Sequence, residues 1–146
     1  MSIFEALRAD HEKQRTLVDL VAKTHGDSEG RAELFARLKE AVEHHALAEE
    51  RFFYAPLMEH DLTQEKARHS VAEHHELDEL IEKLEKTDPS SSGWLATAKK
   101  LQELLTHHLD EEEQEVFQLA GKALPDTKQE SLGQDYRQHM EELADS

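Results

Sequence analysis

Two pairs of histidine and glutamate are the residues of this chain best suited to chemistry. His45 precedes Glu49 by four residues, and His108 precedes Glu112 by the same spacing. Side chains four residues apart stack on one face of an α-helix, so each pair offers an imidazole and a carboxylate together. The chain contains no cysteine, so no thiolate joins them. Such a donor set suits iron, manganese, zinc or copper rather than calcium or magnesium.

The apolar residues around each histidine indicate which histidines face the core. At about 100° per residue, His45 and Glu49 fall near the centre of their apolar stripe. Glu112 falls in the middle of its own stripe, and His108 lies within about 60° of that middle. Two more histidines point inward, one near the edge of the first stripe and one on the third. The predicted metal ligands are therefore His11, His45, Glu49, His74, His108 and Glu112.

The remaining histidines are predicted to lie outside the core. His44, His75 and His107 are each adjacent in sequence to an inward histidine, so they point away from the stripe and should be exposed. The others are predicted in surface or loop positions, namely His25, His60, His69 and His139.

Six inward polar groups make a costly core unless a cation compensates them. A lone histidine on an apolar face is more often a hydrogen-bonded core residue, but the coincidence of six favours metal binding. If both glutamates bridge two ions, each ion has about four protein bonds, and an octahedral ion keeps about two positions for a bridging oxide or hydroxide and an external ligand. A structural zinc site closes its shell at about four ligands instead. The count therefore favours an open, dinuclear site.

Helical spacing runs through nearly the whole chain, and no alternating strand pattern competes with it. A capping box of Ser2 and Glu5 opens the first helix, and Thr127 with Glu130 forms a second box at the tail. Proline cannot continue the hydrogen-bond ladder, so the second helix should stop near Pro56. The predicted helices span residues 3–24, 31–54, 63–85, 94–122 and 127–143.

These helices predict an all-α protein with one domain and a tail. Four helices of roughly 20 residues joined by short loops form an up-down-up-down four-helix bundle. The bundle is assigned to residues 1–122 and a short C-terminal tail helix to residues 123–146, packing on the bundle or extending from it.

The charge balance limits the possible partners. The chain has 17 basic and 33 acidic residues, a formal net charge of −16. Binding to nucleic acid or to an anionic membrane needs a basic surface, so neither partner is expected.

No apolar run reaches the roughly 20 residues that span a bilayer, and no signal-peptide pattern opens the chain, which predicts a cytoplasmic protein. The sequence identifies no protein partner.

The motifs resemble the hemerythrin HHE cation-binding family. The resemblance covers residues 3–122 and rests on His11, on residues 45–50 and 108–112, and on Glu73-His74-His75-Glu76. The run Phe52-Phe53-Tyr54-Ala55-Pro56 is similar to the family's usual ending of the second helix. The resemblance implies a hemerythrin-like bundle with two non-haem iron ions, bridged by oxo or hydroxo and carboxylate groups.

Two departures separate the chain from classical oxygen-carrying hemerythrins. Asp78 stands where those proteins have a further histidine, so Asp78 or a water replaces one imidazole. His108 and Glu112 are four residues apart, where the carriers have histidine and aspartate five apart. Both differences resemble the divergent HHE branch, whose members are associated with iron and oxygen sensing and with responses to nitric oxide or peroxide.

Three functions remain open. The first is a di-iron protein that binds or responds to oxygen, nitric oxide or peroxide. The second is a di-iron redox enzyme that consumes peroxide or oxygen, with Tyr54 as a nearby redox group; ferritin-like bundles are disfavoured because none of the 11 histidines follows a glutamate by three residues. The third is a metal-free interaction bundle with structural histidines.

Overall fold

The computed structural model describes residues 1–145, and within that range it contains helices and no strand. The α-helices are α1 (Ile3–Ala22), α2 (Glu29–Glu49), α3 (Ala55–Leu57), α4 (Gln64–Lys86), α5 (Ser92–Glu111), α6 (Phe117–Ala123) and α7 (Asp126–Asp145). Two π-helical segments connect some of them without a break: Glu50–Tyr54 joins α2 to α3, and Glu112–Val116 joins α5 to α6. The chain therefore forms five helical rods.

The first four rods form the predicted bundle. Helix α1 packs against α2 and α5, and α4 packs against α5 and α2, so the four rods close into a ring. Short loops join consecutive rods, which makes neighbours antiparallel. The prediction of an all-α hemerythrin-like bundle is confirmed. Helix α7 packs across α1, α2 and the first π segment. The division into domains at residue 122 stays a prediction.

The helix starts follow from capping residues. The predicted box at the first helix is present, because the Glu5 backbone N–H donates to Ser2 Oγ and the Ser2 N–H donates to the Glu5 carboxylate, both at 3.3 Å. The predicted box at Thr127 is wrong, because α7 already begins at Asp126 and Thr127 lies inside its first turn. Glu130 instead accepts a hydrogen bond from the N-terminal amine of Met1 at 3.2 Å.

The second rod ends at Leu57, close to the predicted end, with Pro56 inside it. The π segment makes this possible, because the N–H of Ala55 bonds to the carbonyl of Glu50, five residues back. A fresh α-helical turn then starts at Ala55, and Pro56 falls in its first positions, where a missing N–H leaves no bond unmade.

Two apolar clusters divide the core. One contains aromatic residues from the chain's start, the ends of the second and fourth rods and α7, including Phe53, Phe117 and Tyr136. The other is mainly aliphatic and fills the opposite half of the bundle, with Leu38 and Leu101 at its centre. Within residues 1–145 no helix has the length and apolar character needed to cross a membrane. The predicted cytoplasmic location stays a prediction.

The tail helix approaches the start of α1 very closely at one glycine. A Cβ atom added at Gly133 would lie 2.7 Å from the backbone nitrogen of Ile3 and would collide with the carbonyl oxygen of Met1. Only glycine allows α7 to lie at this depth. The close approach brings Tyr136, one turn further along, into the core.

Candidate metal centre

The six predicted ligands lie together at the boundary between the two apolar clusters. None of them is more than 5% exposed to solvent. Their nitrogen and oxygen atoms form two overlapping groups, and within each group all ligand atoms lie within 4.8 Å of one another. One group contains His11, His45, Glu49 and Glu112, and the other contains Glu49, His74 and His108. Glu49 belongs to both.

The backbone changes its helical type next to each glutamate. Glu49 is the last residue of α2 and precedes the first π segment, and Glu112 is the first residue of the second π segment. A π-helical turn inserts extra backbone into a helix and is frequent at functional sites. The widened turn shifts the direction of the side chains that follow, which allows Tyr54 to reach back toward the site.

The two histidines nearest the tail helix are held by their outer nitrogens. His11 Nδ1 lies 2.6 Å from Glu113 Oε2, and His45 Nδ1 lies 2.6 Å from the hydroxyl of Tyr136. The Tyr136 hydroxyl in turn donates to Asp10 Oδ2 at 2.5 Å. With that donor committed, the tyrosine oxygen accepts from His45 Nδ1–H. Both imidazoles are thereby set with Nε2 toward the site.

The other two histidines are also held by hydrogen bonds at their outer Nδ1 atoms. His74 Nδ1 lies 3.2 Å from Glu50 Oε1, and His108 Nδ1 lies 2.9 Å from Glu73 Oε1. Each of the four outer partners comes from a different rod than the histidine it holds. Outer hydrogen bonds of this type fix the tautomer and orientation of metal-binding histidines.

The inward atoms lack hydrogen-bond partners. Among residues 1–145, His11 Nε2, His45 Nε2, His108 Nε2, both Glu49 oxygens and Glu112 Oε1 are buried without one. Burying a polar group without a hydrogen-bond partner is costly. Six unpaired nitrogen and oxygen atoms at one place are therefore suited to binding a cation.

The distances between inward atoms are compatible with shared cations. Glu49 Oε1 lies 3.4 Å from His45 Nε2 and 3.1 Å from His74 Nε2. Glu112 Oε1 lies 3.3 Å from His11 Nε2, and its other oxygen lies 3.7 Å from His108 Nε2. A nitrogen–oxygen donor set of this kind fits transition-metal ions.

The pKa values of the buried histidines and glutamates also indicate that the site favours positive charge. Burial opposes the charge of His11 and His74, but hydrogen bonds to Glu112 and Glu49 outweigh it, raising the pKa of His11 and bringing that of His74 to about 10. Burial and the charge of Glu49 raise the pKa of Glu112. Burial would raise the pKa of Glu49 too, yet His45 holds it well below its ordinary value. Without a metal, protons must neutralise this pocket.

Tyr54 is the polar neighbour of the site that sequence analysis had named. It is fully buried, and its hydroxyl donates to Glu112 Oε2. Burial, together with the charges of Glu112 and Glu49, raises the pKa of Tyr54 well above its ordinary value, so the phenol keeps its proton.

A small cavity adjoins the second group of ligands. It has a volume of about 10 Å³ and is lined in part by His45, His74 and His108. Asp78 also lines it but belongs to neither ligand group, and Asp78 is exposed. Gln14 reaches the cavity from α1.

A surface cluster extends outward from Glu73. Glu73 Oε2 lies 3.7 Å from His69 Nε2, which lies 3.5 Å from Glu111 Oε1. His107 Nε2 approaches the other oxygen of Glu111 at 3.0 Å. Because His69 and His107 are more than half exposed, these contacts are solvent-facing and contribute little to stability.

The histidines predicted outside the core are mostly exposed. His75, His107, His25, His60 and His69 are exposed, as predicted. His44 and His139 are half-buried instead. His44 borders a groove that α7 partly covers, and His139 on α7 packs its ring against Phe52. The tail helix accounts for both differences.

Sequence analysis missed the outer partners of the histidines. Glu50, Glu73 and Glu113 are each adjacent in sequence to a predicted ligand, where a charged residue ordinarily reads as a solvated face. Their position next to a predicted ligand in the sequence is the feature from which they could have been predicted. No local pattern connects Asp10 with Tyr136, because 126 residues separate them.

Comparison with known proteins identifies the family and supports the fold. Residues 2–120 match the family model named Hemerythrin HHE cation binding domain. The fold is similar to the crystal structure of a Hemerythrin HHE cation binding domain-containing protein from Mycobacterium kansasii, with a TM-score of 0.88 and 23% sequence identity, over 98% of this chain and 87% of that one. No curated protein matches the chain. The family match spans all four bundle rods and all six ligand positions, and the chain belongs to the hemerythrin HHE cation-binding domain family.

Proposed function

We propose that this protein is a non-haem di-iron protein that binds or responds to oxygen, nitric oxide or peroxide inside its helical bundle. The observation that carries the proposal is the pair of overlapping ligand groups joined at Glu49, in which six inward nitrogen and oxygen atoms are buried without hydrogen-bond partners. One ion would take His11, His45, Glu49 and Glu112, and the other would take Glu49, His74 and His108.

Iron is favoured by the donors and by the unequal ligand counts. Imidazole and carboxylate suit iron, and three or four protein ligands leave an octahedral ion open to external ligands. Two neighbouring iron ions, when bound, would supply electrons for binding or reducing oxygen, nitric oxide or peroxide. The family supports cation binding in general, while the choice of iron and the count of two belong to the proposal.

Residues around the metal site would orient its ligands and exclude bulk water from it. Four outer hydrogen bonds hold the imidazoles with their Nε2 atoms inward. The two apolar clusters above and below exclude bulk water. The Tyr54 hydroxyl donates a hydrogen bond to Glu112 Oε2 and restrains that carboxylate. A small molecule would reach the centre through the side nearest the cavity.

The test compares two adjacent histidines on α4. Iron content per chain and the visible absorption spectrum are measured for the unmodified protein, for His74→Ala and for His75→Ala. We expect about two irons with near-ultraviolet bands in the unmodified protein and in His75→Ala, because His75 is exposed and outside both groups. His74→Ala should lose iron and absorbance. No iron after anaerobic reconstitution would refute the proposal.

A redox enzyme is the second candidate, and Tyr54 favours it. A buried phenol touching a ligand carboxylate can pass an electron and a proton. Steady consumption of peroxide or oxygen that falls in Tyr54→Phe at unchanged iron content would identify an enzyme. Unaltered ligand binding without turnover would identify a reversible binder.

A metal-free interaction bundle is the third candidate. It predicts that a chelator leaves the melting temperature of the purified protein unchanged. If the centre binds metal, chelation removes a ligand that stabilises only the folded state, and the melting temperature should fall.

A further inference from the structure

Gln14 carries a buried amide that the centre described above does not use. Gln14 lies on α1, three residues after His11, and is 2% exposed. Its side-chain nitrogen is buried and has no hydrogen-bond partner among residues 1–145. A primary amide has two N–H donors, and leaving them unpaired in a core costs more than replacing them with an apolar group. The position therefore calls for an acceptor.

The same side chain lines the small cavity beside His45, His74 and His108. The volume of about 10 Å³ matches the space for a single water molecule. The outer nitrogens of these three histidines are committed to Tyr136 or to carboxylates, as described above.

The rest of the lining supplies no competing donor. It is apolar, with Val42, Leu77, Leu105 and Leu109 prominent, apart from the Asp78 carboxylate at its edge. An ionised carboxylate accepts hydrogen bonds and repels anions, so Asp78 does not replace the amide. In the described part of the chain, Gln14 is the neutral donor of this cavity.

We propose that Gln14 and this cavity form the recognition site for the external ligand, and that the site selects ligands of one or two heavy atoms whose outer atom accepts a hydrogen bond. The inference rests on the proposed function, because the ligand's inner atom would bind iron beside His74 and His108. The amide favours a ligand whose outer atom accepts a hydrogen bond over a ligand of the same size whose outer atom does not. The small volume disfavours longer ligands.

Cyanide is the probe, because it is an anion of two heavy atoms with an acceptor at its outer end. Iron content is measured first. Cyanide affinity of the oxidised, iron-loaded protein is then measured by optical titration, and the C–N stretch by infrared spectroscopy in H₂O and in D₂O. We expect a shift of the stretch between the two solvents in the unmodified protein, because the outer nitrogen accepts an exchangeable amide hydrogen.

Gln14→Leu and Gln14→Met both remove the donor, and methionine keeps the unbranched shape if leucine packs poorly. Each should weaken cyanide binding about tenfold or more, the loss expected for one hydrogen bond to a charged group. Each should also abolish the solvent shift at unchanged iron content. Gln138→Leu makes the same chemical change at an exposed position of α7 and should leave both readouts as they were.

Equal cyanide affinity and an equal solvent shift in the unmodified protein and the Gln14 variants would overturn the inference. Loss of the proposed function would appear differently, as an unmodified protein without iron. If the unmodified protein contains iron but its C–N stretch does not shift between H₂O and D₂O, the role of Gln14 is refuted while the proposed function is not.

Discussion

The two halves of the metal centre are built from the same residue types but differ in enclosure. The tail-side half consists of His11, His45 and Glu112, the cavity-side half consists of His74 and His108, and Glu49 belongs to both. The tail-side group has four potential ligands and the cavity-side group three. Tyr136, brought in by α7, supports His45 on the tail side.

The cavity side has a more open surrounding. The outer partner of His74 is Glu50, a side chain that is 40% exposed. The small cavity touches both cavity-side histidines but only one tail-side residue, His45. A position with fewer protein ligands and adjoining space would bind an external ligand, and a covered position with more ligands would hold its ion more firmly. On the proposed function, we expect the cavity side to bind the external ligand and the tail side to retain its ion.

The largest expected effect comes from the residue that the halves share. Glu49→Gln removes the negative charge that both groups need, so both ions should be lost. Glu112→Gln changes a carboxylate of the tail-side group whose second oxygen lies 3.7 Å from His108 Nε2, so we expect the tail-side ion to be lost first and about half of the iron to remain. Iron per chain after gel filtration measures both. A Glu49→Gln protein that keeps one full iron would contradict the sharing of this carboxylate.

The pH dependence of stability should have opposite signs with and without metal. In the metal-free protein the pKa of His74 is raised from 6.5 to about 10. A raised folded-state pKa contributes stability that is fully present below pH 6.5 and is lost as the pH rises through about 10. Metal binding needs the unprotonated imidazole, so the stabilisation by metal should instead grow with pH.

Urea unfolding of chelated and of iron-loaded protein at several pH values in this window measures the two slopes. His74→Gln should flatten the slope of the metal-free protein, while His75→Ala should leave it unchanged. A metal-free protein that becomes more stable from pH 6.5 to about 10 would show that the histidines are not held in their charged form by the buried carboxylates.

The depth at which the tail helix packs can be tested at two glycines. Gly133→Ala forces a Cβ against the backbone of Met1 and Ile3, where no side chain can yield. Overpacking of this kind costs about 1–3 kcal/mol in unfolding free energy. Gly121→Ala in α6 meets nothing within 4 Å and should be neutral or slightly stabilising.

Chemical unfolding of the metal-free proteins gives both values. The Gly133 variant should also hold the tail-side ion less firmly, because lifting α7 withdraws Tyr136 from His45. A Gly133→Ala protein as stable as Gly121→Ala would mean that α7 can shift along the bundle without loss.

The sequence predicted the bundle because the apolar period runs unbroken through each rod. It predicted all six positions of the candidate site for the same reason, since His45 and Glu49 interrupt a stripe that is otherwise apolar. Gln14 was not predicted, because a single amide is not among the histidines and carboxylates that a metal-ligand pattern singles out. The π segments were not predicted, because the apolar spacing was interpreted at a constant 100° per residue along each rod.

The difference between the halves was beyond sequence reasoning for a further reason. It depends on how α7 lies on the bundle, and that is set by one close backbone approach at Gly133. The apolar spacing along α7 predicts which face of the helix is buried, but it does not predict how closely the helix approaches the bundle. The contact between Tyr136 and His45 therefore follows from packing, not from any spacing along the chain.

The last prediction compares the outer partners of the two halves. Tyr136→Phe removes the oxygen that accepts from His45 Nδ1–H, leaving that buried donor and Asp10 without their partner. Loss of such an outer contact lowers metal affinity by about 10–100-fold. Glu50→Gln affects the bond to His74, but Glu50 is 40% exposed, so water can replace it and the loss should be smaller.

Competition with a chelator measures how fast each protein releases iron. Tyr136→Phe should convert one slowly released iron into a rapidly released one, while Glu50→Gln should mainly speed the ion that is already more labile. Release that is equally fast in both variants would mean that α7 does not distinguish the halves. In that case the fourth ligand, Glu112, would alone account for retention on the tail side, because it is the remaining difference between the two groups.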